Sequence, residues 1–430
     1  MQQPLANARR NLLVAGRWAV LLCLFFVPIN KPLPNLFIFM ALVCSAAGER
    51  ADERFLAAIK QPVVIGSIVW FLVLAASACY APGPYPWASV NTGITLFYPF
   101  IVATLLETPQ WRTRGMMAFA ASACLVLLIS WSQFAGIFPE REIAEKMPSF
   151  RYTVFKDYTQ QGVVFLALAS MAAAYALATP VRKYKVGLWF LSGAAVVNVV
   201  FLLESRTSYL IVVPLLLFWA WRVAKDSWRK IAVAALALAV FLGAALLGPR
   251  MHERLDQAHQ DISVYSNTHV ATSLGIRLEL WRRTMPIIAS APLFGHGLGQ
   301  WDAEFQAETK DFQDYDAFRM HHPHEESLLI ISEQGLAGYA VFVTLLVLLA
   351  RYIRTLNPPE RDFYHSLLLI FIMAGLVNCL LPDFTHRHTF LLLLACIPAL
   401  ARRTAPAGSK AGAPQKDEDP ALEPMAGKTV

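Results

Sequence analysis

Charged residues are scarce in this chain, and their scarcity argues against a soluble protein. Asp, Glu, Lys and Arg together make up 16% of the 430 residues, whereas soluble domains carry about 25%. Hydrophobic residues reach 56% and stand in long uninterrupted runs. Such runs cross a bilayer as helices, because lipid offers the backbone no hydrogen-bond partner. The composition therefore predicts an all-α, polytopic membrane protein.

The loops also lack cysteine pairs, because all six cysteines stand inside apolar runs. They are Cys23, Cys44, Cys79, Cys124, Cys379 and Cys396. We predict neither disulfides nor a zinc site from them, and we interpret them as small buried hydrophobic residues. The net charge of +7 would suit nucleic acid, but cytoplasmic loops of membrane proteins are enriched in Lys and Arg. We therefore expect a lipid bilayer, and no nucleic acid, as a partner.

Apolar runs are abundant, and about twelve of them approach the ~20 residues that a membrane-spanning helix needs. Their approximate cores are 11–29, 34–48, 62–81, 89–107, 115–136, 160–179, 185–203, 207–222, 230–248, 327–350, 363–381 and 388–401. This pattern places nine spans within residues 1–248, a long loop domain at 249–326, and three spans within 327–402. The tail at 403–430 is predicted to be disordered, because Ala, Pro, Gly, Lys and Glu dominate it.

Positive charges fall on alternate short loops, and this alternation predicts an orientation. Arg9 and Arg10 precede the first span. The other members of the set are Arg50, Arg54, Lys60, Arg112, Arg114, Arg182, Lys183, Lys185, Arg222, Lys225, Arg229, Lys230, Arg351, Arg354, Arg361, Arg402 and Arg403. The positive-inside rule makes this side cytoplasmic. The long loop therefore lies on the opposite side, together with the turns 204–207 and 383–388.

The long loop exceeds the length of an ordinary connection, and loops of this size are usually functional or disordered. Its sequence argues for order. Hydrophobic residues recur at near-helical spacing from Ile276 through Leu280 and Trp281 to Ile288, which predicts a helix. The segment Pro292-Leu293-Phe294-Gly295-His296-Gly297-Leu298-Gly299 then reads as a turn-rich connection.

Two arginines on this side are candidates for binding a phosphate or diphosphate. Arg206 stands at the outer end of a span, and its planar guanidinium suits a phosphate clamp. A salt bridge to Glu204 or a snorkelling anchor is the alternative, and most arginines at a membrane boundary are anchors. Arg277 lies one helical turn before Trp281, so the two share a helix face. For Arg277 and its neighbour Arg282, a solvated basic face is the alternative.

Three histidines and two glutamates end the long loop, in the segment His321-His322-Pro323-His324-Glu325-Glu326. The spacing matches no zinc pattern, so we predict no metal site. A histidine at the mouth of a membrane cavity suits general-base catalysis, since its pKa lies near neutrality. Glu325 or Glu326 could orient that base or simply start a helix. Gly335 follows His324 by eleven residues, about three helical turns, which predicts both on one helix face.

The ordered set of these motifs resembles the O-antigen ligase and polymerase superfamily. The resemblance rests on Ser205-Arg206-Thr207 after a span, on Gly275-Ile276-Arg277 with Trp281, on the Pro292–Gly299 segment, and on His322-Pro323-His324-Glu325 followed by Glu333-Gln334-Gly335. It covers roughly residues 140–400. The family usually carries Asn, Ser or Gln after the histidine, where this chain has Glu325, so the usual role of that neighbour does not carry over.

The resemblance implies a GT-C-like membrane glycosyltransferase of the inner membrane, with an inverting mechanism that needs no metal and no cofactor. The donor would be a glycan on undecaprenyl diphosphate and the acceptor a sugar hydroxyl of lipid A–core, bound by a monomer whose long loop is periplasmic. By the same resemblance, His324 would be the general base, and Arg206 and Arg277 would bind the diphosphate. Glu325, His322, Arg282 and Lys156 are supporting candidates.

Three alternatives remain open on the sequence. An O-antigen polymerase uses a similar donor but a growing glycan as acceptor, and a protein O-oligosaccharyltransferase of the same superfamily glycosylates a protein. A transporter or flippase with twelve helices is a different class. The chain has no clear internal repeat, and its candidate residues collect at one face rather than at the membrane midplane, which disfavours a transporter.

Overall fold

A computed structural model describes residues 2–83, 87–147, 150–203, 205–224, 273–310 and 320–398, together with isolated positions between 226 and 256. Within these ranges the regular structure is helical and contains no strand. The helices are α1 (Gln2–Phe26), α2 (Pro32–Ala47), α3 (Ala51–Ala58), α4 (Pro62–Ala78), α5 (Trp87–Thr95), α6 (Tyr98–Leu105), α7 (Pro109–Phe134), α8 (Ile143–Lys146), α9 (Tyr158–Ala178), α10 (Arg182–Phe201), α11 (Arg206–Val223), α12 (Ser273–Ser290), α13 (Trp301–Glu308), α14 (Glu326–Ile353), α15 (Glu360–Gly375) and α16 (Phe384–Ala395).

Five of the described helices are long and apolar enough to cross a membrane, namely α7, α9, α10, α11 and α14. A sixth span results if α2 and α3, which are bent by 120° relative to each other, are counted as one broken span. Large apolar side chains lie exposed on the outside of the bundle, for example Phe39 and Phe190, as lipid contact requires. The chain is a multi-pass membrane protein.

Eleven of the twelve predicted span cores fall on described helices. The core 230–248 is described only at isolated positions, and the tail 403–430 lies outside the described residues. Several of the matching helices are shorter than a full membrane crossing, so the count of twelve spans stays a prediction. The helix predicted inside the long loop is confirmed by α12, which runs from Ser273 to Ser290.

The predicted span 89–107 is not one continuous helix. It divides into α5 and α6, with a break at Leu96 and Phe97. Pro99 stands in the first turn of α6. Proline has no backbone N–H and disfavours the helical conformation in the residue before it. A continuous α-helix through this point would therefore lose a hydrogen bond and create a clash.

Helix α9 lies at the centre of the bundle and is buried along almost its whole length. It packs against α7, α10, α11, α15 and α16. The contact with α11 is close, since a Cβ added at Gly162 would lie 2.1 Å from Ser208 Oγ. A larger residue at position 162 would displace the Ser208 hydroxyl, which bonds to Ser205 Oγ at 2.9 Å beside Arg206.

Four helices, α9, α11, α14 and α16, begin at one end of the bundle, which we call the outer end. Each start is capped by a side chain that accepts a backbone N–H: Asp157, Ser205, Glu325 and Asp383. Capping satisfies N–H groups that a helix start leaves without partners. These caps hold four helix starts in register around the candidate site.

Candidate active site

Arg206 is the first residue of α11, and two contacts fix its position. Ser205 caps the helix by accepting a hydrogen bond from Ser208 N at 3.2 Å. Asn378 donates to Thr207 Oγ1 at 3.0 Å, which ties this helix start to the chain after α15. The alternative partner of Arg206 from the sequence, Glu204, lies outside the described residues.

Arg277 projects from α12 and is half-buried. Burial lowers the pKa of its guanidinium; the phenol of Tyr158 raises that pKa, and the positive charge of Arg206 lowers it further. Such electrostatic effects require the groups to lie near each other. The fold therefore brings together Arg206, Arg277 and the start of α9, which are widely separated along the chain.

His324 precedes α14 in a backbone conformation that is rare for histidine, with φ at 54°. A non-glycine residue in this left-handed region costs of order 1–2 kcal/mol and persists only where its surroundings hold it. One such support is Trp281, whose Nε1 donates to Pro323 O at 3.1 Å. The same helix that carries Arg277 thus also fixes the loop that carries His324.

The rings of His322 and His324 are in edge-to-face contact, with centroids 4.3 Å apart. Burial lowers the pKa of His324 to about 3, and the neighbouring His322 and Arg277 act in the same direction. Burial also lowers the pKa of His322, while Asp383 opposes that shift. Both imidazoles are therefore neutral at pH 7, and a neutral imidazole can accept a proton.

Two expectations about the start of α14 are settled by its geometry. The prediction that His324 and Gly335 share one helix face is wrong, because α14 begins only at Glu326 and is kinked at Gly335. Glu325 acts as the N-cap, with Oε2 accepting from Leu328 N at 2.5 Å. The carboxylate of Glu325 is thus engaged in starting the helix, which was one of its two interpretations.

The turn-rich segment before α13 docks onto the kink in α14. Gly335 has φ at 68°, and a Cβ there would lie 2.3 Å from Leu293 O. Gly295 has φ at 73°, and a Cβ there would lie 2.5 Å from Glu333 C. Leu336 N donates to Pro292 O at 2.9 Å. The glycines of the two motifs therefore serve close backbone packing that joins the long loop to the membrane helix.

The two basic supporting candidates lie in different surroundings. Arg282 is largely exposed and binds Glu279 on its own helix at 2.6 Å. Lys156 is only 6% exposed, and its Nζ lies 5.3 Å from the centroid of the Phe384 ring. Burial lowers the pKa of Lys156 to about 8, with Lys31 acting in the same direction and Asp383 opposing.

Two acidic groups organise the outer end, and the sequence offered a role only for the first of them, Glu326. Glu326 Oε2 accepts from the backbone N–H groups of Leu380 and Leu381. Asp383 accepts from Gln160 Nε2 at 2.6 Å and lies 2.8 Å from His386 Nδ1. Such residues could be suspected from acids beside apolar runs, but their partners lie far away in the sequence.

Comparisons with known proteins find a related family and one similar protein. Residues 186–343 match the sequence model of a family described as O-antigen ligase. That range includes Arg206, Arg277 and His324. A protein of Haemophilus influenzae, described only as an uncharacterized protein, is 24% identical over 284 residues, which cover 63% of this chain and 67% of the other.

Proposed function

Because the chain belongs to the O-antigen ligase superfamily, we propose that it is an inverting glycosyltransferase of lipopolysaccharide assembly. It transfers an O-antigen glycan from undecaprenyl diphosphate to a sugar hydroxyl of lipid A–core. In this proposal it acts as a monomer in the bacterial inner membrane, has a GT-C-like architecture, and opens its site to the periplasm.

One arrangement carries the proposal: Arg206, Arg277 and His324 stand on elements that meet at the outer end of the bundle. Trp281 Nε1, on the helix of Arg277, donates to Pro323 O at 3.1 Å, next to His324. The charge of Arg206 also lowers the pKa of Arg277, and that of Arg277 lowers the pKa of His324. Each of the three comes from a different element, namely the start of α11, the helix α12 and the loop before α14. This combination of two guanidinium groups and a neutral imidazole fits a reaction that releases an anion and removes a proton.

In this proposal the two arginines stabilise the leaving group. When the bond between the anomeric carbon and the diphosphate oxygen breaks, negative charge grows on undecaprenyl diphosphate. Guanidinium groups already in position stabilise that charge more in the transition state than in the ground state. A planar guanidinium group can also donate two parallel hydrogen bonds to the diphosphate oxygens, which the ammonium group of lysine cannot do.

His324 takes the proton from the acceptor hydroxyl. The acceptor hydroxyl oxygen forms the new bond to the anomeric carbon on the face opposite the diphosphate, and its proton passes to the imidazole. A base with a pKa of about 3 is weak, but a bound diphosphate brings negative charge close to Arg277 and so raises the basicity of His324. Donor binding therefore makes His324 a stronger base.

A direct assay tests this function. The full-length protein in nanodiscs is mixed with undecaprenyl-diphosphate-linked glycan and lipid A–core from a strain that lacks O-antigen. We expect a product in which the glycan is attached to lipid A–core with inverted anomeric configuration, read by mass spectrometry and NMR, and unchanged by a metal chelator.

The assay also separates the alternatives by their acceptors. A glycan that lengthens on undecaprenyl diphosphate would identify a polymerase, and one that appears only on a protein acceptor would identify a protein O-oligosaccharyltransferase. Absence of any new glycosidic bond, with donor moved across the vesicle membrane instead, would identify a transporter and refute the enzyme.

A further inference from the structure

Residues 378–381, between α15 and α16, contact two of the helix starts at the outer end, and we call them the bridging segment. At its first residue, Asn378 Nδ2 donates to Thr207 Oγ1 at 3.0 Å. Thr207 is buried and directly follows Arg206 in the first turn of α11. The bridging segment therefore binds α11 one residue away from a proposed diphosphate ligand.

The rest of the bridging segment binds the start of α14, directly after His324. Two of its backbone N–H groups donate to Glu326 Oε2, and the thiol of Cys379 donates to Glu325 O at 3.4 Å. Glu326 and Cys379 are both buried, so water competes little for these hydrogen bonds. Because His324 stands two residues before Glu326, its backbone is tied to the same segment.

The bridging segment is too short to let the two helix starts move independently. Between Asn378 and Leu380 the chain can span at most about 7 Å, since an extended chain covers about 3.6 Å per residue. Its far end is also fixed, because the buried guanidinium group of Arg387 donates to Leu381 O, and to Pro382 O at 3.1 Å. A shift of the α11 start relative to the α14 start would therefore break hydrogen bonds of this segment.

The proposed transfer needs a defined separation between Arg206 and His324. The acceptor oxygen attacks the anomeric carbon on the face opposite the departing diphosphate, so the base and the cation must fit the same donor sugar from two sides. A misplacement of about 1 Å can cost about 10²-fold in rate. Binding of the donor in the ground state is less sensitive, because a flexible lipid diphosphate can follow a displaced arginine.

We propose that Asn378 is a positioning residue of the transfer reaction: by holding Thr207, it fixes the start of α11, and with it Arg206, relative to the loop of His324. This role rests on the proposed function. It assigns to the bridging segment the task of setting the distance between the diphosphate ligand and the base.

The first test removes the hydrogen bond without replacing a catalytic candidate. Asn378→Ala loses the donor to Thr207, and the matched control is Asn357→Ala, at an exposed position between α14 and α15. The turnover number and the affinity for undecaprenyl diphosphate are measured for each full-length variant in nanodiscs. We expect Asn378→Ala to lower the turnover number by about 10- to 100-fold and to leave that affinity within about 3-fold, with the control like wild type.

A double-mutant cycle tests whether Asn378 acts through Thr207. Thr207→Val removes the hydroxyl acceptor and keeps the branched shape, so it should lower the turnover number by a similar factor. It also carries the test if Asn378→Ala fails to fold. Because both variants break the same hydrogen bond, the turnover number of the double variant should lie within about 3-fold of either single variant.

Three results would overturn the positioning role. The first is a turnover number within about 2-fold of wild type in either folded single variant, and the second is a double variant whose loss is the product of the two single losses. The third is an affinity for undecaprenyl diphosphate that falls as far as the turnover number does, since that would show a general disruption of the site.

The wild-type protein separates these outcomes from a failure of the proposed function. Product made by wild type and equally well by Asn378→Ala would refute the positioning role and leave the enzyme intact. Absence of product from wild type would refute the transfer reaction itself, on which the positioning role rests.

Discussion

The surroundings of His324 differ from those of the cavity that His322 lines, and the difference bears on where an anion can be stabilised. The positive charge of Arg206 acts on Arg277, and that of Arg277 acts on His324. The cavity of about 220 Å³ beside His322 has a largely apolar wall that includes Trp70, and none of its described lining residues is Lys or Arg. A diphosphate is therefore better accommodated beside the arginines than in this cavity. The rings of His322 and His324, 4.3 Å apart, mark the boundary between the two regions.

The largest effect on the transfer rate is expected from replacing His324. His324→Ala removes the proposed proton acceptor, and loss of a general base typically costs about 10²- to 10⁴-fold in rate. The turnover number is measured in nanodiscs, with His365→Ala, at the other end of the bundle, as the matched control. The affinities for undecaprenyl diphosphate and for lipid A–core should be unchanged. Transfer at the wild-type rate by His324→Ala would remove the base assignment.

The next largest effect on the transfer rate is expected from replacing Arg277. Arg277→Ala should lower the rate by about 10²- to 10³-fold, as the loss of one transition-state anion contact does. Arg277→Lys should recover only part of that loss, because lysine cannot reproduce the planar fork. Rates and undecaprenyl diphosphate binding are compared with Arg351→Ala, an exposed arginine at the end of α14. Equal activity of Arg277→Lys and wild type would indicate a simple charge effect.

A change at Gly335, where the long loop docks onto α14, should weaken the binding of both substrates. Gly335→Ala places a Cβ 2.3 Å from Leu293 O at a φ of 68°, which we expect to cost about 2–4 kcal/mol of folding free energy. Thermal unfolding in detergent should occur at a lower temperature, and both bindings should weaken. Gly193→Ala is the control, since a Cβ there meets nothing within 4 Å. A stable Gly335→Ala variant would mean that the junction can relax without loss.

The smallest effect is an expected absence of pH dependence. The lowered pKa of His324, about 3, keeps the free enzyme's imidazole neutral as the pH falls through 6.5, where an ordinary histidine gains its proton. The value of kcat/KM for the donor should therefore stay constant between about pH 7 and 5, since it reports the free enzyme. The turnover number should begin to fall at a higher pH than kcat/KM does, because the bound diphosphate raises the pKa. A fall in kcat/KM centred near pH 6.5 would contradict the burial of His324.

Local patterns predicted much of the fold. Apolar runs located the helices, and near-helical spacing from Ile276 to Ile288 located α12. Breaks were harder to predict, since α5 and α6 divide an apolar run at Leu96 and Phe97. Gly335 permits a break by residue type alone, but whether the helix kinks there depends on a partner segment about forty residues earlier in the chain.

For the candidate site, the sequence nominated Arg206, Arg277 and His324 by residue type and by resemblance, and their catalytic roles stay predictions. It offered the start of a helix as one of two roles for Glu325, which now caps α14, but it could not reveal that Trp281 donates to Pro323 O. Such contacts are made between segments whose separation in space is independent of their separation in sequence.

The sequence by itself determined the class of this protein and the location of most helices, because lipid burial imposes long apolar runs that can be read one segment at a time. Only the tertiary structure decided which polar groups share a space. The cavity beside His322 and the pairing of Glu326 with the backbone at Leu380 both arise where distant segments pack. The physical reason is that burial and electrostatic neighbourhood are properties of the packed bundle, and no single segment of the chain contains them.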